Sequence, residues 1–323
     1  MSFWSGKKVC VTGGAGFVGS YLTEQLVDHG ADVTVAEGPA CDTSRIAHIL
    51  DRVQVVCGDL RDAGLARRAT EGQYAVLHLA GKVAGIEYNR THHAEMFSVN
   101  MELATSVLGA AAAGGVQRFL VVSSGVVYPP DAPVPIGEDA AEGAAPERVN
   151  QGYGWAKRMS ELLGAYYDAE SSMSVAVCRP FNMYGPRDHW DDRISHVIPA
   201  LIKRTLDGED PVTVWGSGGQ VRSFLHARDG ATAMRLIAEK APGPEPVNVA
   251  HPDEYTVAQV AELILKTSGS KATVRFDASR PDGHPRRVAD LRRLEQVTGW
   301  LPSISLEQGI AETIEEYTDL FVR

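Results

Sequence analysis

The sequence predicts an α/β protein in which a parallel β-sheet is covered by helices on both faces, and three observations support this fold class. Short runs of β-branched and other apolar residues recur along the first half of the 323-residue chain, with helical patterns between most of them. A glycine-rich segment follows the first of these runs and opens a helical pattern. The second half contains segments rich in Gly, Pro, His and Arg, which indicate a smaller cap.

Five strands are predicted in the first half of the chain, and a sixth follows the second long helical pattern. Each strand is a short apolar run flanked by turn or helix residues. Helices are predicted near 16–29 and 96–114, between strands. The predicted strands are 8–12, 32–36, 53–56, 75–79, 118–122 and 174–178.

Two domains are predicted from this change of character along the chain. Residues 1–178 form the dinucleotide-binding domain, to which 224–248 return through a helix near 227–239. Residues 179–223 and 249–323 form a smaller C-terminal α/β cap that binds substrate. This arrangement gathers the polar residues of the cap over the sheet.

The composition excludes several classes of protein. Hydrophobic residues make up 44% and charged residues 22%, as in soluble globular proteins, and the apolar runs are too short for a transmembrane helix. Thirty-one basic and 41 acidic residues give a net charge of −10, which disfavours binding to nucleic acid or an anionic membrane. No signal-peptide pattern follows the N-terminus, so a cytoplasmic protein is expected.

The four cysteines are scattered along the chain and form no CxxC pair or metal-binding pattern. In a reducing cytosol they are expected to be buried apolar thiols, so neither a disulfide nor a metal site is predicted. They are Cys10, Cys41, Cys57 and Cys178.

A glycine-rich loop follows the first predicted strand. Gly13, Gly16 and Gly19 have the spacing GxxGxxG. Glycines at these positions let the backbone turn tightly and approach a pyrophosphate, whose charge lies at the helix N-terminus. Between a strand and a helix, this pattern predicts a Rossmann-type, doubly wound sheet that binds a dinucleotide.

Two carboxylates follow the next two strands and bear on the choice of dinucleotide. Glu37 ends the second strand, where a carboxylate accepts hydrogen bonds from the ribose hydroxyls and repels a 2′-phosphate. NAD is therefore expected. NADP stays open as the less favoured alternative, because Arg45 or another basic side chain could bind a 2′-phosphate. Asp59, followed by Leu60, is a candidate acceptor for the adenine amino group, with a turn role as the alternative.

A tyrosine and a lysine have the spacing of a proton-transfer pair. Tyr153 and Lys157 are four residues apart, so they lie on one face of a helix. A nearby ammonium and a positive nicotinamide are expected to lower the pKa of the phenol towards neutrality. The pair can then exchange a proton with a sugar hydroxyl while a hydride moves. Ser124, after the fifth strand, supplies a hydroxyl to hold the reacting carbonyl.

These motifs, with several longer strings, resemble the extended short-chain dehydrogenase/reductase family, the NAD-dependent epimerases and dehydratases that modify nucleotide-linked sugars. The resemblance covers nearly the whole chain and is closest to the GDP-L-fucose synthases, then to the GDP-mannose 3,5-epimerases. The strings that carry it are GKVAGI at 81–86, SHVIP at 195–199, VWGSG at 214–218, RSFLH at 222–226 and FDASRPDG at 276–283.

The resemblance implies roles for individual residues. The catalytic set is Ser124, Tyr153, Lys157 and His196. The cofactor-binding set is Gly13, Gly16, Phe17, Val18, Glu37, Asp59, Leu60, Leu79 and Ala80, with Tyr153 and Lys157. The substrate-binding set is Lys82, Asn182, Arg204, Trp215, Arg222 and Arg286, in which the forked arginines suit phosphate oxygens. A solvated surface role stays open for Arg286.

Two positions depart from the pattern of the related enzymes. Epimerising members resemble one another in using a Cys two residues after the catalytic Ser, where this chain has Val126. Valine carries no proton, so a two-base mechanism with His196 is in doubt. GDP-L-fucose synthases resemble NADPH users, whereas Glu37 favours NAD.

The expected function is an NAD-dependent nucleotide-sugar epimerase that acts on a GDP-hexose by transient oxidation at C4. In one version, the C4 ketone turns round in the site and is reduced from its opposite face, which needs no Cys. In the other, His196 reprotonates C5 while water or Tyr153 replaces the missing Cys. The alternative is a GDP-L-fucose-synthase-like, NAD(P)H-dependent 4-ketoreductase of a GDP-4-keto-6-deoxyhexose. A 4,6-dehydratase is disfavoured because 123–128 lacks an Asp–Glu pair, and a non-catalytic NAD-binding protein is the remaining possibility.

The resemblance also implies a homodimer. The helices near 96–113 and 153–169 would form a four-helix interface with those of a second copy. Their apolar residues could equally cover the protein's own sheet.

Overall fold

A parallel β-sheet lies at the centre of the computed structural model, which describes residues 2–191, 195–279 and 283–322. The strands, in chain order, are β1 (Lys8–Thr12), β2 (Asp32–Glu37), β3 (Val53–Cys57), β4 (Ala75–His78), β5 (Arg118–Val122), β6 (Ser174–Pro180), β7 (Met183–Tyr184), β8 (Val212–Trp215), β9 (Val221–Arg222), β10 (Leu225–His226), β11 (Pro246–Val249), β12 (Tyr255–Thr256), β13 (Val274–Asp277) and β14 (Arg286–Arg287).

The central sheet has seven strands in the order β11-β6-β5-β4-β1-β2-β3, and all neighbouring pairs are parallel. The strand order reverses between β1 and β4, so the loops beyond their carboxyl ends diverge and leave a crevice in which such sheets bind ligands. The predicted Rossmann-type, doubly wound α/β fold is confirmed.

Helices connect the strands and cover both faces of the sheet, and the two helices predicted in the first half lie within three residues of their predicted ends. The helices are α1 (Phe17–Asp28), α2 (Ala63–Thr70), α3 (Ile86–Thr91), α4 (His93–Ala113), α5 (Gln151–Glu170), α6 (Val197–Leu206), α7 (Ala227–Lys240), α8 (Val257–Ser268), α9 (Arg292–Thr298) and α10 (Leu306–Phe321). Short 3₁₀ helices lie at Ser44–Arg52, Gly125–Val127, Glu138–Ala141 and Arg148–Asn150.

The two faces of the sheet belong to two separate apolar cores. Leu120 of β5 packs into the core beneath α1 and α7, whereas its neighbours Phe119 and Val121 pack into the core beneath α2 and α4. This alternation follows from the pleat of a strand, which directs successive side chains to opposite faces. Burial on both faces is why the strands are apolar almost throughout.

A third core lies under the cap. Ile202 of α6, Ile264 of α8 and Ile310 of α10 are buried together there, beside the paired strands β8 and β13. In contrast, α7 and β11 join the central sheet. The sequence places the domain boundaries at 178 and 248, and β6 and β11 run one or two residues beyond them. The division into two domains stays a prediction.

Helix α4 is, within the described residues, the one helix with the length and hydropathy of a membrane span. The expectation that no such helix exists rests on short apolar runs and does not consider the whole helix. Val107 and Leu108 are buried in the core against the sheet, and Met96 of the same helix is buried as well. Packing within the protein therefore accounts for part of the apolar character of α4.

The cysteines differ from the prediction. Cys10 and Cys178 are buried free thiols, but Cys41 and Cys57 form a disulfide and neither of them is buried. Register explains the pairing: Cys57 lies beside Glu37 at the ends of β3 and β2, and the loop after β2 turns back through Cys41 at φ +50°. The Cα atoms of the pair lie 5.4 Å apart across 16 positions of the chain.

Candidate active site

The glycine-rich loop is shaped by close backbone contacts at the end of β1. Gly13 has φ +68°, in the region that favours glycine. A Cβ at Gly19 would lie 1.9 Å from the carbonyl oxygen of Gly13, so helix α1 approaches the loop as only glycine allows. No side chain caps the start of α1 at Gly16, and its first N–H groups are available to an anion. This geometry fits the pyrophosphate of a dinucleotide.

Glu37 lies at the end of β2 and binds this loop directly. Its carboxylate accepts hydrogen bonds from the N–H of Ala15 and from that of Gly38, each at 3.0 Å. The side chain is half-buried beside the glycines. The carboxylate therefore lies where the sequence analysis predicts the adenosine ribose. Its two hydrogen bonds also stabilise the conformation of the loop.

The other predicted cofactor residues lie at the ends of β3 and β4. Leu79 and Ala80 follow β4, and Ala80 N–H donates to Thr12 Oγ1 at 3.1 Å, which places Ala80 against Gly13. Leu60 is buried. Asp59 is engaged by Arg61, with Asp59 Oδ2 2.6 Å from Arg61 Nη2.

The disulfide joins the two loops on this side of the site. Cys41 belongs to the loop that follows Glu37, and Cys57 ends β3 directly before Gly58 and Asp59. The bridge thus fastens together the loops that carry the two predicted carboxylates.

Tyr153 and Lys157 lie on helix α5, and Lys157 contacts the carboxyl end of β5. The Lys157 ammonium donates to the carbonyl oxygen of Val122 at 2.9 Å and lies 5.5 Å from the centre of the Tyr153 ring. Ser124 follows two residues after that carbonyl, and its Oγ accepts from Val126 N–H at 3.3 Å. The structure therefore brings the three predicted catalytic residues to the carboxyl end of one strand.

Burial dominates the ionisation of this pair. It lowers the pKa of Lys157 to about 8, a value near neutrality for an ammonium. It raises the pKa of Tyr153, whereas the sequence predicts a lowered one. The difference has a physical reason: the Lys157 ammonium lies 5.5 Å from the ring centre and is bound to a backbone carbonyl, so burial outweighs its field.

A small cavity opens beside Ser124. Val126, Phe181, Asn182 and Arg287 line it with Ser124. The Asn182 side chain is fixed by a hydrogen bond to the carbonyl oxygen of Ser223 at 3.0 Å. Val126 lies at the position where the resemblance places a second acid/base group, and its apolar side chain lines the cavity.

The predicted substrate arginines occupy different surroundings. Arg222 is half-buried and donates to the carbonyl oxygen of His284 at 2.8 Å. Arg286 is exposed and forms a two-bond ion pair with Glu254, at 2.8 and 2.6 Å. Its neighbour Arg287, which the sequence analysis does not assign, donates to the carbonyl oxygen of Gly125 at 2.8 Å. The structure thus brings Arg287, not Arg286, to the cavity beside Ser124.

Three further predicted residues lie in the cap and at the sheet edge. Arg204 of α6 donates to the carbonyl oxygen of Thr213 at 2.8 Å. Trp215 ends β8 and is 44% exposed. Lys82, after β4, forms an ion pair with Glu95.

His196 precedes α6 and is paired with a carboxylate. Its Nδ1 lies 3.4 Å from Oδ2 of Asp188, and its side chain is 52% exposed. Partial desolvation of the ring opposes its ionisation, but the hydrogen bond and the charge of Asp188 together outweigh it, so the pKa of His196 is raised. Asp188 therefore favours the cationic form of His196.

A second residue that the sequence analysis does not identify is Asn100 on α4. Its Oδ1 accepts from Lys82 N–H at 3.0 Å, and its Nδ2 donates to the Lys82 carbonyl oxygen at 3.1 Å. A Cβ at Gly81 would lie 3.6 Å from Lys157 Nζ. Asn100 thus fixes the segment that covers Lys157. A buried Asn in an apolar helix is the signal that could have found it.

Comparisons with known proteins show similarity in both sequence and structure to proteins named for, or solved with, nucleotide-linked sugars. Residues 9–250 match the model of the NAD dependent epimerase/dehydratase family. The chain is 32% identical to GDP-L-fucose synthase 1 of Arabidopsis thaliana, over 96% of this chain and 93% of the relative. It is 30% identical to a dTDP-4-dehydro-6-deoxy-D-allose reductase of a Streptomyces species, over 97% of each chain. The solved structure of MoeE5 in complex with UDP-glucuronic acid and NAD is 28% identical with a TM-score of 0.82, over 97% of this chain and 99% of that one.

Proposed function

The chain belongs to the NAD dependent epimerase/dehydratase family, and we propose that it oxidises and reduces C4 of a nucleotide-linked hexose. One observation carries the proposal: Ser124, Tyr153 and Lys157 meet at the end of β5, with Lys157 bound to Val122 and Ser124 two residues further on. Interconversion of an alcohol and a ketone needs a group that transfers a proton, a charge that stabilises this group, and a hydrogen-bond donor for the oxygen. The three side chains are of these kinds.

NAD is the proposed cofactor. The glycine loop and the start of α1 would hold its pyrophosphate, and Glu37 would hold its adenosine ribose. Leu79 and Ala80 lie against Gly13 and would line the same crevice. When bound, the nicotinamide supplies the hydride acceptor and donor. The presence of NAD in the MoeE5 complex supports a dinucleotide of this kind.

Tyr153 is the proposed acid/base group. Its phenol would exchange a proton with the C4 hydroxyl as that carbon becomes a ketone and is reduced again. Lys157 is largely cationic below about pH 8, and its charge favours the phenolate over the phenol. Ser124 Oγ would donate a hydrogen bond to the C4 oxygen.

The proposed reaction is redox-neutral epimerisation at C4. Inversion at a carbon beside the ketone requires a base on one face and an acid on the other, and Val126 can serve as neither. The simpler route is that the C4 ketone turns round in the site and is reduced from its opposite face. Such an enzyme regenerates NAD in every cycle, which agrees with a carboxylate at position 37. GDP is the proposed nucleotide of the substrate, supported by the similarity to a GDP-L-fucose synthase.

A 4-ketoreductase is the second candidate, and the names of the relatives favour it. They include a GDP-L-fucose synthase and a dTDP-4-dehydro-6-deoxy-D-allose reductase, both similar over nearly the whole chain. The same three residues would serve this reaction, with the reduced nicotinamide consumed in each turnover.

Two arginines are proposed to bind the diphosphate. Arg222 and Arg287 are half-buried neighbours, and burial, followed by the charge of Arg287, lowers the pKa of Arg222. Two cations held this close stabilise a dianion between them. Arg287 takes the role that the sequence analysis gave to Arg286.

A homodimer is proposed through α4 and α5. Phe97 on α4 and Leu162 and Tyr166 on α5 are 39%, 43% and 54% exposed. These helices already pack against each other, so a second copy would complete a four-helix interface. Sedimentation equilibrium of Tyr166→Glu tests this, since a charge there should yield monomers. We also propose that the enzyme is cytoplasmic.

The deciding experiment incubates the purified protein with GDP-mannose in D₂O without added cofactor. NMR and mass spectrometry should detect a new isomer of the same composition, without deuterium at C3 or C5. Deuterium at C5 would instead support the route through His196, and His196→Asn should then abolish the exchange.

The absence of any reaction leads to the second candidate. GDP- and dTDP-linked 4-keto-6-deoxyhexoses are then supplied with NADH and with NADPH. Consumption of the reduced cofactor identifies a reductase and its nucleotide, whereas no consumption with either sugar contradicts the proposed C4 chemistry.

A further inference from the structure

A buried ion pair lies behind the proposed catalytic residues. Glu161 of α5 and Arg179 of β6 are 8% and 4% exposed. The guanidinium donates two hydrogen bonds to the carboxylate, at 2.9 and 2.7 Å. Buried pairs of this kind are seldom more stabilising than apolar residues of equal volume, because desolvation offsets the attraction. Stability alone therefore does not account for the pair.

Glu161 continues the row of proposed catalytic residues along α5. It lies one turn after Lys157, as Lys157 lies one turn after Tyr153, so all three project from one face of the helix. Its carboxylate accepts a hydrogen bond from Ser123 Oγ. Ser123 directly precedes Ser124, whose hydroxyl lines the cavity. Glu161 thus holds the residue next to the proposed carbonyl-binding serine.

Lys157 and Glu161 hold the same strand end from the same helix. Lys157 binds the carbonyl oxygen of Val122, and Glu161 binds the side chain of Ser123, the next residue. A displacement of either contact would move Ser124 relative to Tyr153. Positioning errors of about 1 Å cost up to about 100-fold in rate.

Arg179 fixes the carboxylate from the opposite side. Its Nη1 donates to Tyr128 Oη at 2.9 Å and to the carbonyl oxygen of Glu138 at 2.7 Å. Tyr128 Oη donates in turn to Asn248 Oδ1 at 2.5 Å. The pair is therefore part of a network that joins α5, β6, β11 and the loop after Ser124.

Glu161 also supplies charge at Lys157. Among the described residues, the titratable groups near Lys157 also include His78 on β4, Cys178 on β6 and Tyr153 on the same helix. Burial, then Lys157 itself, lowers the pKa of His78 to about 3, and burial raises the pKa of Cys178 to about 12 and raises that of Tyr153 as well. All three are neutral at pH 7, so among these groups Glu161 carries the charge that opposes the effect of burial on Lys157.

We propose that Glu161, held by Arg179, is a positioning residue: it aims Ser124 through Ser123 and stabilises the ammonium of Lys157. This inference rests on the proposed roles of Ser124, Tyr153 and Lys157. Glu161 is buried behind the cavity beside Ser124 and acts through its two neighbours.

The first test measures the Lys157 ammonium directly and needs no turnover. In the full-length protein labelled with [ε-¹³C]lysine, the Lys157 signal is identified by its loss in Lys157→Met. Glu161→Gln should move the titration midpoint of that signal down by about half a pH unit or more, because removal of a carboxylate disfavours the cation. Glu170→Gln, an exposed site at the end of α5, is the matched control. An unchanged midpoint in Glu161→Gln overturns the proposal.

A neutral pair guards against a variant that does not fold. Glu161→Gln leaves Arg179 buried without a counter-charge, which is destabilising. The double variant Glu161→Gln/Arg179→Gln removes both charges and should also shift Lys157 downward, by less than the single variant because the opposing Arg179 cation is lost as well. A double variant that folds with an unshifted Lys157 also contradicts the inference.

The second test separates the positioning of Ser124 from the stabilisation of the Lys157 ammonium. Ser123→Ala keeps the ion pair, and it should lower kcat about tenfold with little change in KM and with the Lys157 midpoint unchanged. In Glu161→Gln the alkaline limb of the kcat profile should move to lower pH with Lys157. Wild-type kcat in Ser123→Ala refutes the positioning role. If no nucleotide sugar reacts at all, the proposed function fails, while the lysine titration still decides the role of Glu161.

Discussion

The cofactor side and the substrate side of the candidate site are built in different ways. On the cofactor side, the main contact joins Glu37 to the backbone of Ala15, 22 positions away in the chain. On the substrate side, Arg287 reaches the backbone of Gly125 across 162 positions, and Arg222 reaches that of His284 across 62. The first side is a local feature of one βαβ unit, whereas the second depends on contacts between distant segments, among them the contact of Arg287 with Gly125 after β5.

This difference predicts different effects of mutation. Backbone atoms make the cofactor side, so a side-chain change there alters preference more than it abolishes binding. Side chains held by distant segments make the substrate side and the proton-transfer centre, so single changes there should remove binding or turnover. The following predictions test this contrast, from the largest expected effect to the smallest.

Tyr153→Phe should reduce turnover by about 10²- to 10⁴-fold, because it removes the proposed proton donor and acceptor while keeping the ring. Steady-state rates and circular dichroism measure activity and folding together. Tyr166→Phe, on the exposed face of the same helix, is the control and should retain full activity. Near wild-type turnover in Tyr153→Phe would falsify the acid/base role.

Arg287→Met should weaken GDP binding about 10- to 100-fold, since charge-assisted hydrogen bonds contribute about 1.5–3 kcal/mol each. Arg286→Met serves as the neighbouring control and should bind GDP within about twofold of wild type, because its exposed pair with Glu254 contributes little. Titration calorimetry measures both. The opposite order of effects would restore the sequence-based assignment of Arg286.

Glu37→Ala should reduce the preference for NAD over NADP by about tenfold, which corresponds to about 1.4 kcal/mol. The carboxylate that would accept the ribose hydroxyls and repel a 2′-phosphate is lost. Fluorescence titration with NADH and NADPH gives the ratio of dissociation constants. A ratio equal to that of the wild type removes the reason for choosing NAD.

Cys57→Ser should lower the thermal midpoint by several degrees, since a bridge that closes a loop of this length contributes about 3 kcal/mol. A thiol reductant should lower the wild-type midpoint similarly and leave that of Cys57→Ser unchanged. Catalytic turnover should change least of all, because the bridge lies at the adenosine side. A wild type that does not respond to reductant would agree with free thiols, as the sequence analysis expects.

The local motifs were the predictable part of the site. Tyr153 and Lys157 share a helix face because of their spacing, and the glycine loop sits between a strand and a helix, so both could be placed before any coordinates. Arg286 and Arg287 show where this reasoning ends: adjacent residues of β14 point in different directions, one towards Glu254 at the surface and one into the cavity. Composition does not tell which one faces inward, because the register of a two-residue strand depends on its partners.

The sequence by itself determined six of the seven strands of the central sheet, helices α1, α4, α5 and α7, and the shared helix face of Tyr153 and Lys157, because hydrophobic period and short spacings act within one element. Tertiary structure decided the disulfide between Cys41 and Cys57, the choice of Arg287, and the network from Ser123 through Glu161 and Arg179. These contacts join residues that are distant in the chain, and their geometry depends on how strands align and how the cap packs. Local pattern carries no information about that alignment, whereas burial and hydrogen bonding in the folded chain fix it.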